Sequence, residues 1–381
     1  MTSLGARWGR ALMVGAALAA ACWDHSVGAA GVAIDAKEVE LPAVLRLIAA
    51  QGGPTIVADP SVAQERVTFA VKEVQPYAAL RWLCRACGFV VVSGQGGRLL
   101  IGRPALDKAI LEEYNVAPVA ATPAGAEALL DFTKRVVLPF YLNRIKAEDG
   151  EVLPQLEATF EKGRLKILAP PMVQREVATL LRTVSQAKKG ASADELRVAY
   201  RPYELGMLNP RSPALAPAPL RGEVSLDLAQ ASAYEAAWAM TSASKASFFI
   251  DPWDEGLRAA KVTLKAEKMP LKTAADQVAK QLVAEPCWFD GAWVLVRPLR
   301  RGLFEDFSVR VYSLGGTGVW GNWIAEGSVN NAQWFKLSPG LPYSVNRVGD
   351  HVLTALPANA QKGIEAALKG AAEGGKRPFW R

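Results

Sequence analysis

Residues 32–53 read VAIDAKEVELPAVLRLIAAQGG, residues 56–62 read IVADPSV, and residues 67–89 read VTFAVKEVQPYAALRWLCRACGF. Apolar and polar residues alternate at the start, the period of a strand with one buried face. Leu41, Val44, Leu45 and Ile48 follow at i, i+3, i+4 and i+7, one face of an amphipathic helix, with Pro42 in the first turn where proline is tolerated. Leu80, Leu83, Cys84 and Cys87 share the face of a second helix. Two short strands, 89–92 and 99–102, flank a glycine-rich turn at 93–97 and close the unit.

The unit occurs twice. Val32-Ala33-Ile34-Asp35 returns 192 residues later as Val224-Ser225-Leu226-Asp227, and Asp59-Pro60 returns as Asp251-Pro252. Val67-Thr68-Phe69 matches Val262-Thr263-Leu264 at a spacing of 195, which places an insertion of about three residues before it, and Arg103-Pro104 matches Arg297-Pro298. The first helical face becomes Ala233, Ala236, Ala237 and Met240, introduced by Ser232 and Glu235 in capping-box spacing. The second becomes Ala275, Val278, Ala279 and Leu282. Asp290-Gly291, between strands at 287–289 and 293–296, is a tight-hairpin signal. Each copy therefore reads strand, helix, strand, strand, helix, strand, strand.

This order, with a strand ending near Asp-Pro, a Val-Thr strand, an Ala-Leu helix and a Gly-aromatic hairpin, resembles the short N-terminal domain of secretins and TonB-dependent receptors. The likeness spans residues 31–104 and, through the duplication, residues 222–298. It implies small α/β docking modules. In secretins such a domain sits at the periplasmic mouth of the channel and meets inner-membrane components, and in some receptors it relays a signal to a regulator.

Each copy is followed by a second pattern. Residues 112–190 carry a strand at 112–116, a helical stretch over 126–146 interrupted at Pro139, a hairpin around Glu161-Lys162-Gly163, and a helix from Pro171 with Val173, Val177, Leu180, Leu181 and Val184 on one face. Residues 306–372 echo it, with a strand at 352–356 and Ile364, Ala367, Leu368 and Ala371 on a helix. The order is similar to the ring-building modules of secretins. The expected fold class is α+β, built from tandem two-layer modules. A proline-rich stretch at 205–220 separates the halves and is expected to act as a semi-rigid spacer holding them apart, giving an extended, multivalent scaffold.

The first 29 residues read as a secretory signal: Arg7 and Arg10, the apolar run 11–21, and small residues before a cut at Ala29. Lipidation at Cys22 is the alternative. Removing two Arg and one Asp lowers the formal charge from +7 to +6. The charges are scattered, so peripheral association with anionic surfaces is open and no nucleic-acid partner is expected. No later segment is long and apolar enough to cross a bilayer.

Chemistry-bearing residues are sparse. No cofactor is expected, nor any metal or catalytic site. His351 alone could serve a triad, and no Gly-x-Ser-x-Gly elbow accompanies it. Gly316, Gly318 and Gly321 fit G-x-G-x-x-G without the parallel βαβ series that would give it meaning. Trp320, Trp323 and Trp334 cluster near the end as core anchors or as a recognition surface. Cys84 and Cys87 leave three readings open: packed thiols, a local disulfide, or a redox pair, the last opposed by their place near a helix end. The redox state of Cys287 is likewise open.

Because no long β-rich gate or barrel region follows residue 372, this chain is not expected to form a channel by itself. The reading is an exported, periplasmic, non-catalytic interaction or assembly protein. Its expected partners are envelope proteins, including secretin or other outer-membrane complex subunits of a secretion or pilus system. A signal-relay protein and a thiol-redox enzyme using Cys84 and Cys87 are the alternatives.

Overall fold

A computed structural model describes residues 31–93, 99–103, 109–134, 157–186, 217–252, 254–304, 307–313, 344–349, 351–357, 361–363 and 365–366. The signal segment with Cys22, the glycine motif at 316–321, the three clustered tryptophans and most of the spacer lie outside these residues. So does the helical stretch beyond residue 134. The fold is α+β.

The first copy comprises β1 (Val32–Glu40), α1 (Leu41–Ala50), β2 (Ile56–Ala58), β3 (Arg66–Val74), α2 (Pro76–Cys87), β4 (Val90–Ser93) and β5 (Leu99–Gly102). β1 and β3 pair antiparallel. β2 runs parallel to β5, which pairs antiparallel with β4. Both helices pack on these sheets as their periodicity requires: Leu41, Val44, Leu45 and Ile48 are all buried, as are Leu80 and Leu83.

The second copy repeats the plan: β9 (Glu223–Ser232), α5 (Ala233–Ser242), β10 (Phe248–Ile250), β11 (Lys261–Pro270), α7 (Leu271–Gln281), β12 (Glu285–Phe289) and β13 (Ala292–Val296). β9 pairs with β11, and β13 lies between β10 and β12. The extra residues form a short helix, α6 (Glu255–Ala259), capped by Asp254, which accepts from Leu257 N at 2.8 Å. Even the irregularities are duplicated. Glu38 and Gln230 have φ of 53° and 53°, and Glu73 and Lys268 have 54° and 49°. These left-handed residues lie at or beside register shifts of the strand pairs, the geometry of β-bulges.

Local chemistry sets several boundaries. Ser232 Oγ accepts from Glu235 N at 3.2 Å while Glu235 Oε2 accepts from Ser232 N at 2.7 Å, so the predicted capping box starts α5. Asp290 and Gly291 have φ of 51° and 79°, the paired left-handed residues that a two-residue hairpin with right-handed twist requires. Gly88, with φ of 72°, ends α2.

The second modules share a sheet order. In residues 110–186, β6 (Ile110–Asn115), β7 (Glu157–Glu161) and β8 (Arg164–Ala169) form the order β6-β8-β7, packed under α4 (Pro171–Gln186). α3 (Pro123–Phe132) begins at Thr122, whose hydroxyl accepts from Gly125 N at 3.1 Å. In the second half, β14 (Phe307–Ser313), β15 (Ser344–Val348) and β16 (His351–Pro357) form the order β14-β16-β15. His351 is a buried residue of β16.

The spacer does not hold the halves apart. One continuous core runs through the first copy into Phe249, Phe289, Val294 and Val296 of the second, and on into Val311, Val348 and Leu353. α3 packs against β15, where Asn346 Nδ2 donates to Ala128 O at 3.3 Å and to Asp131 Oδ2 at 3.1 Å. The proline-rich stretch limits reach but supplies no repulsion, and apolar faces on both halves supply attraction.

Replacing Ser232 with Ala removes the side-chain arm of the capping box, leaving the backbone N–H of residue 232 on Glu235, and is expected to destabilise the protein by about 1 kcal/mol. Urea denaturation checks this as a lower midpoint with an unchanged slope.

Candidate functional site

The most elaborate arrangement of polar side chains lies where copy 2 docks on copy 1. It is built on α2. One face of this helix, Leu80, Leu83 and Cys84, turns into its own module. The other presents Arg81, Trp82 and Arg85, and Arg81 and Trp82 are nevertheless 3% and 0% exposed. What covers them is the β12–β13 hairpin and β10 of the second copy.

Asp290, at the tip of that hairpin, is the centre of the contact. Arg81 Nε donates to its Oδ2 at 2.6 Å, a second Arg81 nitrogen reaches Oδ1, and Arg85 Nη1 donates to Oδ2 at 2.7 Å. Trp82 Nε1 donates to the Asp290 carbonyl at 3.0 Å. The left-handed turn permits this, because it leaves carbonyl and carboxylate both directed at α2. Burial raises the Asp290 pKa, but the two guanidiniums outweigh burial and hold the carboxyl well below the usual carboxylate range.

Aromatic rings pack around this ion cluster. Trp82 stacks on Phe249 with centroids 4.3 Å and planes 4° apart, and meets Phe289 edge-on at 6.2 Å. Arg85 lies over Trp82 at 4.8 Å and over Phe289 at 5.1 Å. The rings exclude water and strengthen the ionic contacts they surround.

The outer edge of β3 is satisfied by side chains of copy 2. Ser247 Oγ accepts from Lys72 N at 2.8 Å and donates to Lys72 O at 3.0 Å. Tyr234 donates its hydroxyl to Thr68 O. Burial pushes the Tyr234 phenol above its ordinary range, so it stays protonated and remains a donor. Arg258 Nη2 donates to Ala86 O at 3.1 Å, and Ser242 Oγ to Asp35 Oδ1 at 3.0 Å. The recess left between Trp82, Tyr234, Phe249, Pro252 and Arg258 is about the size of a water molecule.

Cys84, Cys87 and Cys287 are free thiols in this structure, Cys84 and Cys287 buried and Cys87 half-buried. Burial pushes Cys84 up to about 12, with the neighbouring Cys87 adding to it, and pushes Cys87 up to about 12 against the pull of Arg258 and Arg103. Among the described residues no group of three or more His, Cys, Asp or Glu could hold a metal ion, and no helix is long and apolar enough to cross a membrane.

Sequence reading placed Asp290 correctly in a turn and missed its role. Arg81, Trp82 and Arg85 escaped because they lie opposite the apolar stripe. A tryptophan between arginines at i−1 and i+3, replaced in the second copy by Gln277, was the available signal.

No family model matches the chain, and no curated protein does. Solved structures that it matches include chains of secretion systems. A chain of the Salmonella SPI-1 injectisome base containing InvG N0N1, SpaPQR and PrgHK is 16% identical, with 43% of this chain and 100% of that one covered and a TM-score of 0.21. A chain of the Klebsiella pneumoniae type II secretion outer membrane complex of PulD, PulS and the PulC HR domain is 14% identical, with 88% and 49% covered and a TM-score of 0.23. A chain of the GspC–GspD complex of enterotoxigenic Escherichia coli is 13% identical, with 41% and 98% covered and a TM-score of 0.16.

Asp290→Asn leaves two arginines buried against a neutral amide and is expected to cost about 3–5 kcal/mol, as for a broken buried ion pair. Denaturation and protease sensitivity of residues 187–222 check it together. Because the folded Asp290 pKa is lowered, its stabilisation is full above the unfolded value of roughly 3.9, declines as pH falls below that value, and is lost once pH has fallen through the lower folded value. A titration of stability should therefore show the difference between the native chain and Asp290→Asn undiminished at pH 5 and shrinking below roughly pH 4.

Proposed function

We propose that this is an exported periplasmic docking protein that serves assembly of a secretion, pilus or outer-membrane system. The supporting observation is the locked pair of short α/β modules. Copy 1 and copy 2 bury Trp82, Phe249, Phe289 and the Asp290 ion cluster between them, so they present one rigid binding body. A preassembled body loses less freedom on binding a partner than two tethered modules would. The motif order of each copy, which resembles the short N-terminal domain of secretins and TonB-dependent receptors, points to envelope protein partners. The proposed location is the periplasm, in association with the outer membrane.

Crosslinking the full chain in intact envelopes, followed by purification, tests this reading. Recovery of an outer-membrane secretion-complex subunit is the expected result. Recovery of a transmembrane regulator in its place would favour signal relay, and recovery of small-molecule ligands alone would contradict docking.

The thiol-redox alternative has a separate test. With pKa values of about 12, only about one part in ten thousand of each thiol in the α2 pair is ionised at pH 8. Cys84 and Cys87 should resist iodoacetamide in the folded protein and react fully after denaturation, read by intact mass. Rapid alkylation of the native Cys84 would restore the redox reading.

A further inference from the structure

The contact between the copies runs in one direction. Copy 1 contributes β3 and α2. Copy 2 contributes α5, β10 and the β12–β13 hairpin, whose counterparts in copy 1 are α1, β2 and β4–β5. A head-to-tail contact of this kind leaves one face of each type without a partner copy, whereas a self-complementary contact would leave neither.

The two remaining faces differ in chemistry. On copy 2, the positions of Arg81, Trp82 and Arg85 hold Asp276, Gln277 and Lys280, all exposed, with Asp276 paired to Lys272 at 2.9 Å. The position of Ala86 holds Gln281. Its side-chain amide accepts from Thr263 N at 3.0 Å and donates to Thr263 O at 3.0 Å, occupying the outer edge of β11. Thr263 is the counterpart of Thr68, whose carbonyl in copy 1 is taken by Tyr234 instead. Copy 2 thus fills with its own glutamine the strand edge that copy 1 offers to another module.

On copy 1 the remaining face keeps the hydroxyl and apolar part of the docking pattern, while Tyr234 is replaced by Pro42. The counterparts of Ser247 and Phe249 are Thr55 and Val57, which preserve the hydroxyl and the apolar side chain. Ala239 corresponds to Leu47. Ser247 and Phe249 are 2% and 5% exposed in the formed contact, while Val57 and Leu47 are 50% and 46% exposed and Thr55 is exposed.

We propose that the α1–β2 face of copy 1, centred on Leu47, Thr55 and Val57, docks another α/β module that presents an unblocked strand edge beside an aromatic helix position. That is the surface β3 and Trp82 present to copy 2. Gln281, with Asp276 and Gln277, stops the same contact at the opposite end, as a polar outer face caps a repeat array. This deepens the docking reading by naming the surface and the kind of partner. Its test uses only this chain, so it stands or falls independently of which envelope protein is recovered.

The triple variant Asp276→Arg, Gln277→Trp, Gln281→Ala gives copy 2 the docking chemistry of copy 1. Light scattering across a concentration series should show its mean mass rising about twofold or more above that of the unaltered chain. Adding Val57→Asp should return it to the unaltered mass. Gln281→Ala alone, a single exposed change, should show the same concentration dependence more weakly, and it carries the test if the triple variant fails to fold. Unchanged mass for the variants, or association that Val57→Asp does not reduce, would overturn the proposal. Association of the unaltered chain through Val57 would overturn the assigned stop.

Discussion

A carboxylate buried between two guanidiniums is expensive to desolvate and more expensive to leave half-made. Asp290 stands in that position, and much of the molecule's arrangement follows from it. The left-handed backbone of a two-residue turn carries the carboxylate out of copy 2, and α2 of copy 1 receives it with Arg81 and Arg85. The charges fix the register of the contact, because a displaced hairpin would strand all three. Trp82, Phe249 and Phe289 then supply the apolar burial, with stacked and edge-on geometry each worth about 0.5–1.5 kcal/mol beyond area alone. With the first modules fixed in this way, α3 and β15 of the second modules also meet.

The duplication takes on a different meaning in this light. Two like modules on a proline-rich spacer would ordinarily sample many relative positions. Here one copy has diverged to receive and the other to insert. Tyr234 stands where copy 1 has Pro42, and Arg81 and Trp82 stand where copy 2 has Asp276 and Gln277. Heterologous contacts can propagate, and Gln281 on the edge of β11 is the proposed stop at one end of this one.

Much of the module fold was legible in the sequence because it depends on local pattern. Helix faces, the capping box at Ser232, the Asp290-Gly291 turn and the Lys162-Gly163 hairpin all follow from spacing or from residues that tolerate a left-handed backbone. Even the insertion between the copies was readable, and it became α6. The contact between the copies was not legible. Periodicity identifies the face a helix turns toward its own module, and α2 is buried on both faces. The composition of the spacer fixes its stiffness and says nothing about whether the bodies at its ends attract one another.

The central claim is that the two copies form one body within a single chain, and an engineered crosslink tests it most directly. Ser242 Oγ and Asp35 Oδ1 lie 3.0 Å apart across the contact. In the full chain carrying Asp35→Cys and Ser242→Cys, a short bismaleimide should link the two positions within the monomer, seen as a faster-migrating species on denaturing electrophoresis that either single cysteine variant lacks. Failure to form that link, or its formation only between chains, would contradict the account.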